Sequence, residues 1–386
     1  MSPADAVVPP KADAMKGWQD RWCAWRDRTL ASPGFQRWAG AFPLTRPIAR
    51  RRARSLFDLV AGFVYSQVLL ACVRLRLFQV LAEGPQTLRE LATRLSLPDD
   101  AAERLLVAAV SLQLVERRSR GRFGLGPLGA PLVGDTAISA MVEHHAALYA
   151  DLRDPVALLR GQVENAALAQ YWPYAEERAS AAMAAQRVRE YSALMSASLP
   201  LISAQVLAAY AFGKHRCLLD VGGGEGMFLT AVAGQAPQLK LMLFDLPPVA
   251  ELARARLATA GLSKRASTTG GSFFDDPLPT GADIVTLVRV LFDHSDERAL
   301  AIMRAVRKAM PADATVLIAE PMAGTPGAEA MGDAYFGFYL LAMGKGRSRT
   351  AAELTTLLQA AGFGKVRLLA THLPLQTQVL LASALT

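Results

Sequence analysis

The chain has 386 residues, of which 52% are hydrophobic and 20% charged. That length suits two or three domains, and so large an apolar fraction excludes a globally disordered chain. Three widely separated cysteines, Cys23, Cys72 and Cys217, exclude a disulfide framework and lack zinc-ligand spacing, so no metal is expected and a reducing, cytoplasmic setting is the default.

The formal net charge of +8 is uneven: +6 lies in residues 1–60, 0 in 61–200 and +2 in 201–386. The excess is a leading arm that includes Arg50, Arg51, Arg52 and Arg54. Such an arm suits an anionic surface, either lipid headgroups or nucleic acid, or simply a solvated helix end. No secretory signal is visible at the start. Trp18, Trp22 and Trp25 recur at i, i+4 and i+7, one helical stripe. An amphipathic helix there needs a partner, either a dimer surface or a membrane interface.

Residues 56–82 read as one long apolar helix. Its apolar stretch, 59–73, is shorter than the roughly 20 residues of a membrane crossing and reads as a buried helix. Thr87 then caps a short helix, with Glu90 completing a capping box. Asp99 and Asp100 open another helix, and LVERRSRGRFGL reads as a hairpin turning at Gly121. Three helices and a two-stranded wing make a winged-helix pattern. The helix that would read DNA has one basic residue, Arg104, behind acids at its start, whereas groove reading needs donors. Dimerisation is the better reading, with no nucleic-acid partner.

Residues 136–212 read as helical, punctuated by Pro155, Pro173 and Pro200. From Cys217 onward, short apolar strands alternate with helical stretches, the pattern of a parallel sheet covered on both faces. Two closing strands follow the last helix.

The strongest motif is Asp220-Val221-Gly222-Gly223-Gly224-Glu225-Gly226, directly after the first strand of that sheet. A glycine turn between strand and helix brings backbone amides close to a ligand. Asp245 ends the second strand, 21 residues after Gly224, where a carboxylate accepts both hydroxyls of an adenosine ribose. The dinucleotide pattern G-x-G-x-x-G is absent, and Glu225 adds an acid to the loop. An acidic loop suits a cofactor with a cationic centre and no phosphates, such as S-adenosylmethionine.

The ordered motifs DVGGGEG, FDLP, GGSFFDDPLPTGADIVTLVRVLFDHSDERA, AEP and GKGRSRTAAELTTLLQAAGF resemble those of the plant-type small-molecule O-methyltransferases. The resemblance spans roughly residues 60–386. Two further stretches, SLFDLVAGFVYSQVLLACVRLRLF and MGDAYFGFYLLAMGKGR, resemble the bacterial carotenoid hydroxyl methyltransferases. The resemblance implies that Gly222 and Gly224 line the methionine moiety, with Asp220 also in the cofactor site. It puts Asp245 on the ribose, Leu246, Ser272 and Phe273 beside the adenine, and Arg289 near the cofactor's polar end. It also implies that the stretch 331–343 lines the acceptor pocket; Asp333, Phe336, Tyr339 and Met343 are expected as contacts, with His144 and His145 from the helical region above.

The catalytic pattern departs from that family. Phe292 stands where the plant enzymes have a histidine base, in Leu291-Phe292-Asp293-His294. Asp293 remains, Glu320 matches a glutamate that orients the base, and Ser348 replaces the second such glutamate. Three readings stay open: His294 is the base, His144 or His145 supplies it from the helical region, or the reaction relies on positioning alone.

The expected fold is α/β: a doubly wound, Rossmann-like catalytic domain over 213–386 and an N-terminal, mainly α winged-helix dimerisation domain over 55–135. A basic arm (1–54) precedes them and a helical region (136–212) joins them. The expected activity is S-adenosylmethionine-dependent O-methylation of a hydrophobic small molecule, best an acyclic carotenoid hydroxyl, by a cytoplasmic homodimer whose arm contacts the inner membrane peripherally. Aromatic polyketide O-methylation, methylation of a bacteriochlorophyll-type ring carbon, a cofactor-sensing winged-helix regulator and a catalytically dead scaffold are the alternatives.

Overall fold

A computed structural model describes residues 11–134, 136–163, 166–171, 198–344 and 346–385. It divides into two compact units, Met1–Pro127 and Leu128–Thr386.

The first unit begins with three helices, α1 (Lys11–Ala31), α2 (Pro33–Ala41) and α3 (Arg46–Arg74). The expected single helix over 56–82 is corrected: α3 stops at Arg74 and α4 (Leu77–Ala82) follows. Arg76 turns the chain between them with φ +55°, a conformation unfavourable for most side chains and not signalled by glycine or proline. The arm boundary expected at residue 54 also falls inside α3.

The reading of 59–73 as a buried helix is corrected too. Leu59 is 82% exposed and Phe63 67% exposed, while burial within α3 is confined to Leu70, Cys72 and Val73. By length and composition α3 could cross a membrane. Trp18, Trp22, Trp25 and Trp38 are exposed as well.

The winged-helix expectation matches the rest of this unit. Strand β1 (Gln86–Thr87) leads into α5 (Leu88–Leu95), α6 (Asp99–Ser111), β2 (Val115–Arg117) and β3 (Arg122–Leu125). The capping box forms: the Glu90 N–H donates to Thr87 Oγ1 and the Thr87 N–H to Glu90 Oε2. The three strands order as β1-β3-β2, all antiparallel.

The second unit opens with α7 (Pro131–Gly134), α8 (Thr136–Asp151), α9 (Pro155–Leu159), α10 (Ala167–Tyr171) and α11 (Ser198–Ala209). The part of the expected helical region over 172–197 lies outside the described residues. The sheet follows, with β4 (Cys217–Val221), β5 (Lys240–Asp245), β6 (Ala266–Gly270), β7 (Ile284–Val288), β8 (Thr315–Glu320), β9 (Phe363–Leu369) and β10 (Gln378–Ala384). Strand order is β6-β5-β4-β7-β8-β10-β9, parallel except for β10, which runs antiparallel to both neighbours.

Alternation along the strands builds two cores. Leu219, Val285 and Ile318 face α14 (Asp296–Ala309) and α16 (Ala351–Ala360), while Leu218, Ile284 and Leu317 face α11, α12 (Met227–Gln235) and α13 (Pro247–Thr259). The chain leaves β4 for β5 and β6 on one side and returns to β7 and β8 on the other. Ligands of open α/β sheets bind beyond the strand ends at this reversal.

Candidate active site

The glycine turn sits at that reversal. Gly222 has φ +69°, and a Cβ there would lie 2.8 Å from Val290 Cγ2, so this residue locks the loop against the end of β7. Gly224 has φ +56° and a Cβ would meet nothing within 4 Å, which leaves room beside its amide. The Gly224 N–H donates to Asp245 Oδ2 (2.8 Å) and the Leu246 N–H to Asp245 Oδ1 (2.7 Å). Asp245 is thus an oriented, buried acceptor at the mouth of the turn.

Both acids of this loop are engaged within the protein. Asp220 is buried below the loop and not exposed on it: its Oδ1 accepts the Thr286 hydroxyl (2.6 Å), and a Cβ on Gly223 would lie 2.7 Å from its Oδ2. Burial, reinforced by the charge of Asp245, pushes its carboxyl up to about 7. Glu225 is paired with Arg256 of α13, so its charge is neutralised within the protein.

Ser272 and Phe273 lie in the turn after β6, tied to the same place by the Gly271 N–H, which donates to the Asp245 carbonyl (2.9 Å). The Ser272 hydroxyl is used within its turn, donating to Asp275 Oδ2 and accepting the Phe274 N–H. Arg289 adopts φ +58° at the end of β7 and donates from Nη1 to Ser198 Oγ (2.6 Å). A strained non-glycine backbone at a strand end is a common mark of a functional position.

The turn Leu291–Asp293 follows. Phe292 and Asp293 line a cleft of about 380 Å³. His294 does not line it, which corrects its expected position. Its backbone is extended (φ −122°, ψ 154°) as the chain enters the Ser295 cap of α14. The ring therefore lies edge-on to Phe273 and Phe274, at 5.6 Å from each. Burial, with Arg298 and Arg349 nearby, lowers it to about 4.

Three groups brace this turn. Glu320, at the end of β8, accepts the Phe292 N–H on Oε2 (3.2 Å), while its Oε1 is buried with no hydrogen-bond partner among the described residues. Burial pushes its carboxyl up to about 7, with Asp293 adding to the effect and Arg349 opposing it. Arg349, fully buried, donates to the carbonyls of Leu291 (2.8 Å) and His294 (2.6 Å) and to Asp296 Oδ1 (2.8 Å). Gly346 packs so closely that a Cβ would lie 2.3 Å from the Phe292 carbonyl oxygen. Sequence reasoning gave Arg349 and Gly346 no role, although both belong to the GKGRSRT motif. Ser348 Oγ is buried without a partner among the described residues.

The opposite wall comes from α8 and from a six-residue π-helical turn, Ala330–Tyr335, that leads into α15 (Phe336–Met343). Such wider turns recur at functional sites. His145 Nε2 and the Tyr335 hydroxyl lie 2.7 Å apart, and His144 Nε2 and the Tyr339 hydroxyl 2.9 Å apart. His145, Tyr335, Phe336 and Tyr339 line the cleft. Three expected contacts, His144, Asp333 and Met343, do not. Asp333 is exposed and accepts the Gly324 N–H, and Met343 is buried with Leu148 and Leu158. A residue that no motif signalled does line it: Gln376, whose Oε1 is buried with no partner among the described residues.

Comparison with known proteins identifies the scaffold. An O-methyltransferase domain matches residues 149–364, and an O-methyltransferase dimerisation domain matches residues 57–135. The chain belongs to the O-methyltransferase family. It is 46% identical over 341 residues to the demethylspheroidene O-methyltransferase of Cereibacter sphaeroides, covering 88% of this chain and 89% of the relative. It is 41% identical over 343 residues to the protein of that name from Rhodobacter capsulatus, covering 88% and 84%. Among solved structures, a methyltransferase of calicheamicin biosynthesis with S-adenosylhomocysteine bound matches with a TM-score of 0.72 at 27% identity, covering 86% of this chain and 98% of that one.

This O-methyltransferase therefore uses S-adenosylmethionine, and its site fits that cofactor. The open space beside Gly224 admits a ligand against backbone, and Asp245 presents an oriented carboxylate for a diol. The matched dimerisation domain supports a homodimer.

Proposed function

We propose that this O-methyltransferase methylates the hydroxyl of an acyclic carotenoid of the spheroidene type. The observation that carries this reading is the cleft: apolar walls from Met141, Leu201, Ile202, Phe292 and Phe336, with a few polar points at Arg289, Asp293, His145, Tyr335 and Gln376. Such a lining suits a hydrocarbon bearing one hydroxyl. A cleft of about 380 Å³ accepts only the hydroxylated end of a long polyene. Similarity to two demethylspheroidene O-methyltransferases supports the same acceptor class.

When bound, S-adenosylmethionine supplies an electrophilic methyl group. In this reading Gly222 and Gly224 receive its methionine part, Asp245 its ribose, and Leu246 and Phe273 its adenine, while Arg289 faces its polar end. Asp220 supports the loop from below. Phe336 and Tyr339 hold the acceptor, and Glu320 and Arg349 keep the Phe292–Asp293 turn in place, with His294 as an aromatic brace. Alignment and exclusion of water by these walls are the protein's main contribution, and positioning alone can supply roughly 7–11 kcal/mol of such a barrier.

The arm belongs to the same reading. Exposed Trp18, Trp22, Trp25 and Trp38, with Arg50, Arg51, Arg52 and Arg54 nearby in sequence, suit peripheral docking of a cytoplasmic enzyme on the anionic inner membrane, where such a substrate dissolves. Labelled cofactor offered to pigment extracts tests the acceptor: label is expected in a methoxy carotenoid, and label in polar phenols alone would sink the reading. Removing residues 1–54 is expected to reduce binding to anionic liposomes; undiminished binding would leave the arm a packing element.

A further inference from the structure

Resting on the hydroxyl-methylation reading above, we propose that the Tyr335–His145 pair is the proton acceptor of this enzyme, replacing the histidine that Phe292 displaces. Phe292 sits at the cleft but has no group that takes a proton. Its ring meets Phe336 edge-on at 5.9 Å, and Phe336 in turn meets Tyr335 at 5.0 Å. The role therefore moves across the cleft, from the turn after β7 to the π-helical turn and α8.

The pair has the geometry of a relay. The Tyr335 hydroxyl lies 2.7 Å from His145 Nε2, with the rings edge-on at 5.5 Å, and both residues line the cleft. Burial lowers the His145 imidazole and raises the Tyr335 phenol to about 12, so at neutral pH the histidine is a neutral acceptor and the tyrosine a neutral donor. The titratable groups facing the pair are His144 on the same helix, Tyr339 stacked on Tyr335 at 5.8 Å, and Arg289 and Asp293 in the shared cleft.

The proton moves as follows. The acceptor oxygen forms its bond to the methyl carbon as the carbon–sulfur bond breaks, the electron pair of that bond staying on sulfur. The hydroxyl proton passes to Tyr335 Oη while the tyrosine's own proton passes to His145 Nε2. An imidazolium results, and its proton leaves to solvent. An alcohol is a weak acid, so this transfer accompanies or follows attack.

The test uses the full-length enzyme, with a hydroxylated acyclic polyene and a weakly acidic phenol as acceptors. Tyr335→Phe and His145→Gln are each expected to lower kcat by about 10²-fold or more. The double variant should be no slower than the worse single one, because the two act as a unit. Cofactor Kd by calorimetry should stay within about twofold in all three, which also confirms that they fold. In ¹⁵N-imidazole NMR of the free enzyme, the His145 Nε2 signal should shift in Tyr335→Phe.

A kcat within about threefold of wild type in His145→Gln, or a large loss confined to Asp293→Asn, would overturn the relay. The carotenoid reading fails separately, if the wild type methylates the phenol and not the polyene. The relay is then judged on the phenol.

Discussion

The two ends of the active site are built differently. At the cofactor end the chemistry is carried by backbone: a glycine turn, two N–H groups on Asp245, and strand ends held by the sheet. At the acceptor end it is carried by side chains from separate elements, with His145 on α8, Tyr335 on the π-helical turn, Asp293 after β7 and Gln376 before β10. A backbone-built site tolerates few substitutions, because φ values and close approaches constrain it. A side-chain-built site can lose its usual base and find another across the cleft. Phe292 marks such an exchange.

Four measurements bear on this contrast. The largest effect is expected from Arg349→Ala, which strips the Leu291 and His294 carbonyls of their buried donor and leaves Asp296 short of a partner. A loss of about 1–3 kcal/mol for each buried carbonyl left without its donor is expected in chemical unfolding, with kcat falling in the surviving folded enzyme and cofactor affinity little changed. Equal loss at both ends would erase the distinction between them.

Next is the pH dependence of stability. Burial raises the Glu320 carboxyl from its ordinary 4.5 to about 7. The folded protein thus holds this proton more tightly than the unfolded chain. The stabilisation is fully present below about pH 4.5 and is lost as pH rises through about 7. Glu320→Gln should therefore flatten the decline in stability between those values. An unaltered slope would show that this carboxyl does not titrate in that window.

At the cofactor end, Asp245→Ala should weaken cofactor binding more than about tenfold, or ~1.4 kcal/mol, without changing acceptor KM. Intact affinity by calorimetry would undo the ribose assignment. The smallest effect is expected from Gln376→Leu. It removes a buried carbonyl oxygen that has no partner among the described residues, so stability should hold or rise slightly while acceptor KM increases a few-fold. A stability loss above about 1 kcal/mol would mean that Gln376 has a structural partner instead.

The same contrast explains what could be read from sequence. The Thr87–Glu90 box, the strand at Cys217 and the Gly222–Asp245 spacing obey local rules, and each stands where those rules put it. His294 looks like a base in the sequence because it is two residues from the usual one. Only the extended backbone before the Ser295 cap shows its ring among Phe273 and Phe274. Arg349 and Gln376 give no periodic signal, since their partners are 53–58 residues away or absent among the described residues. The exposure of Leu59 and Phe63 is hidden as well, because an apolar helix reads alike whether it faces a core, a partner chain or lipid.

The sequence by itself determined the alternation of strands and helices, the glycine turn with its carboxylate, the uneven charge and the absence of the usual histidine. These depend on periodicity, backbone conformation and spacing, which are local properties of a chain. The tertiary structure alone decided which side chains share the cleft, that Glu225 is neutralised by Arg256, and that His145 meets Tyr335 across 190 positions of sequence. Those pairings depend on how elements pack, and packing is settled by the whole fold.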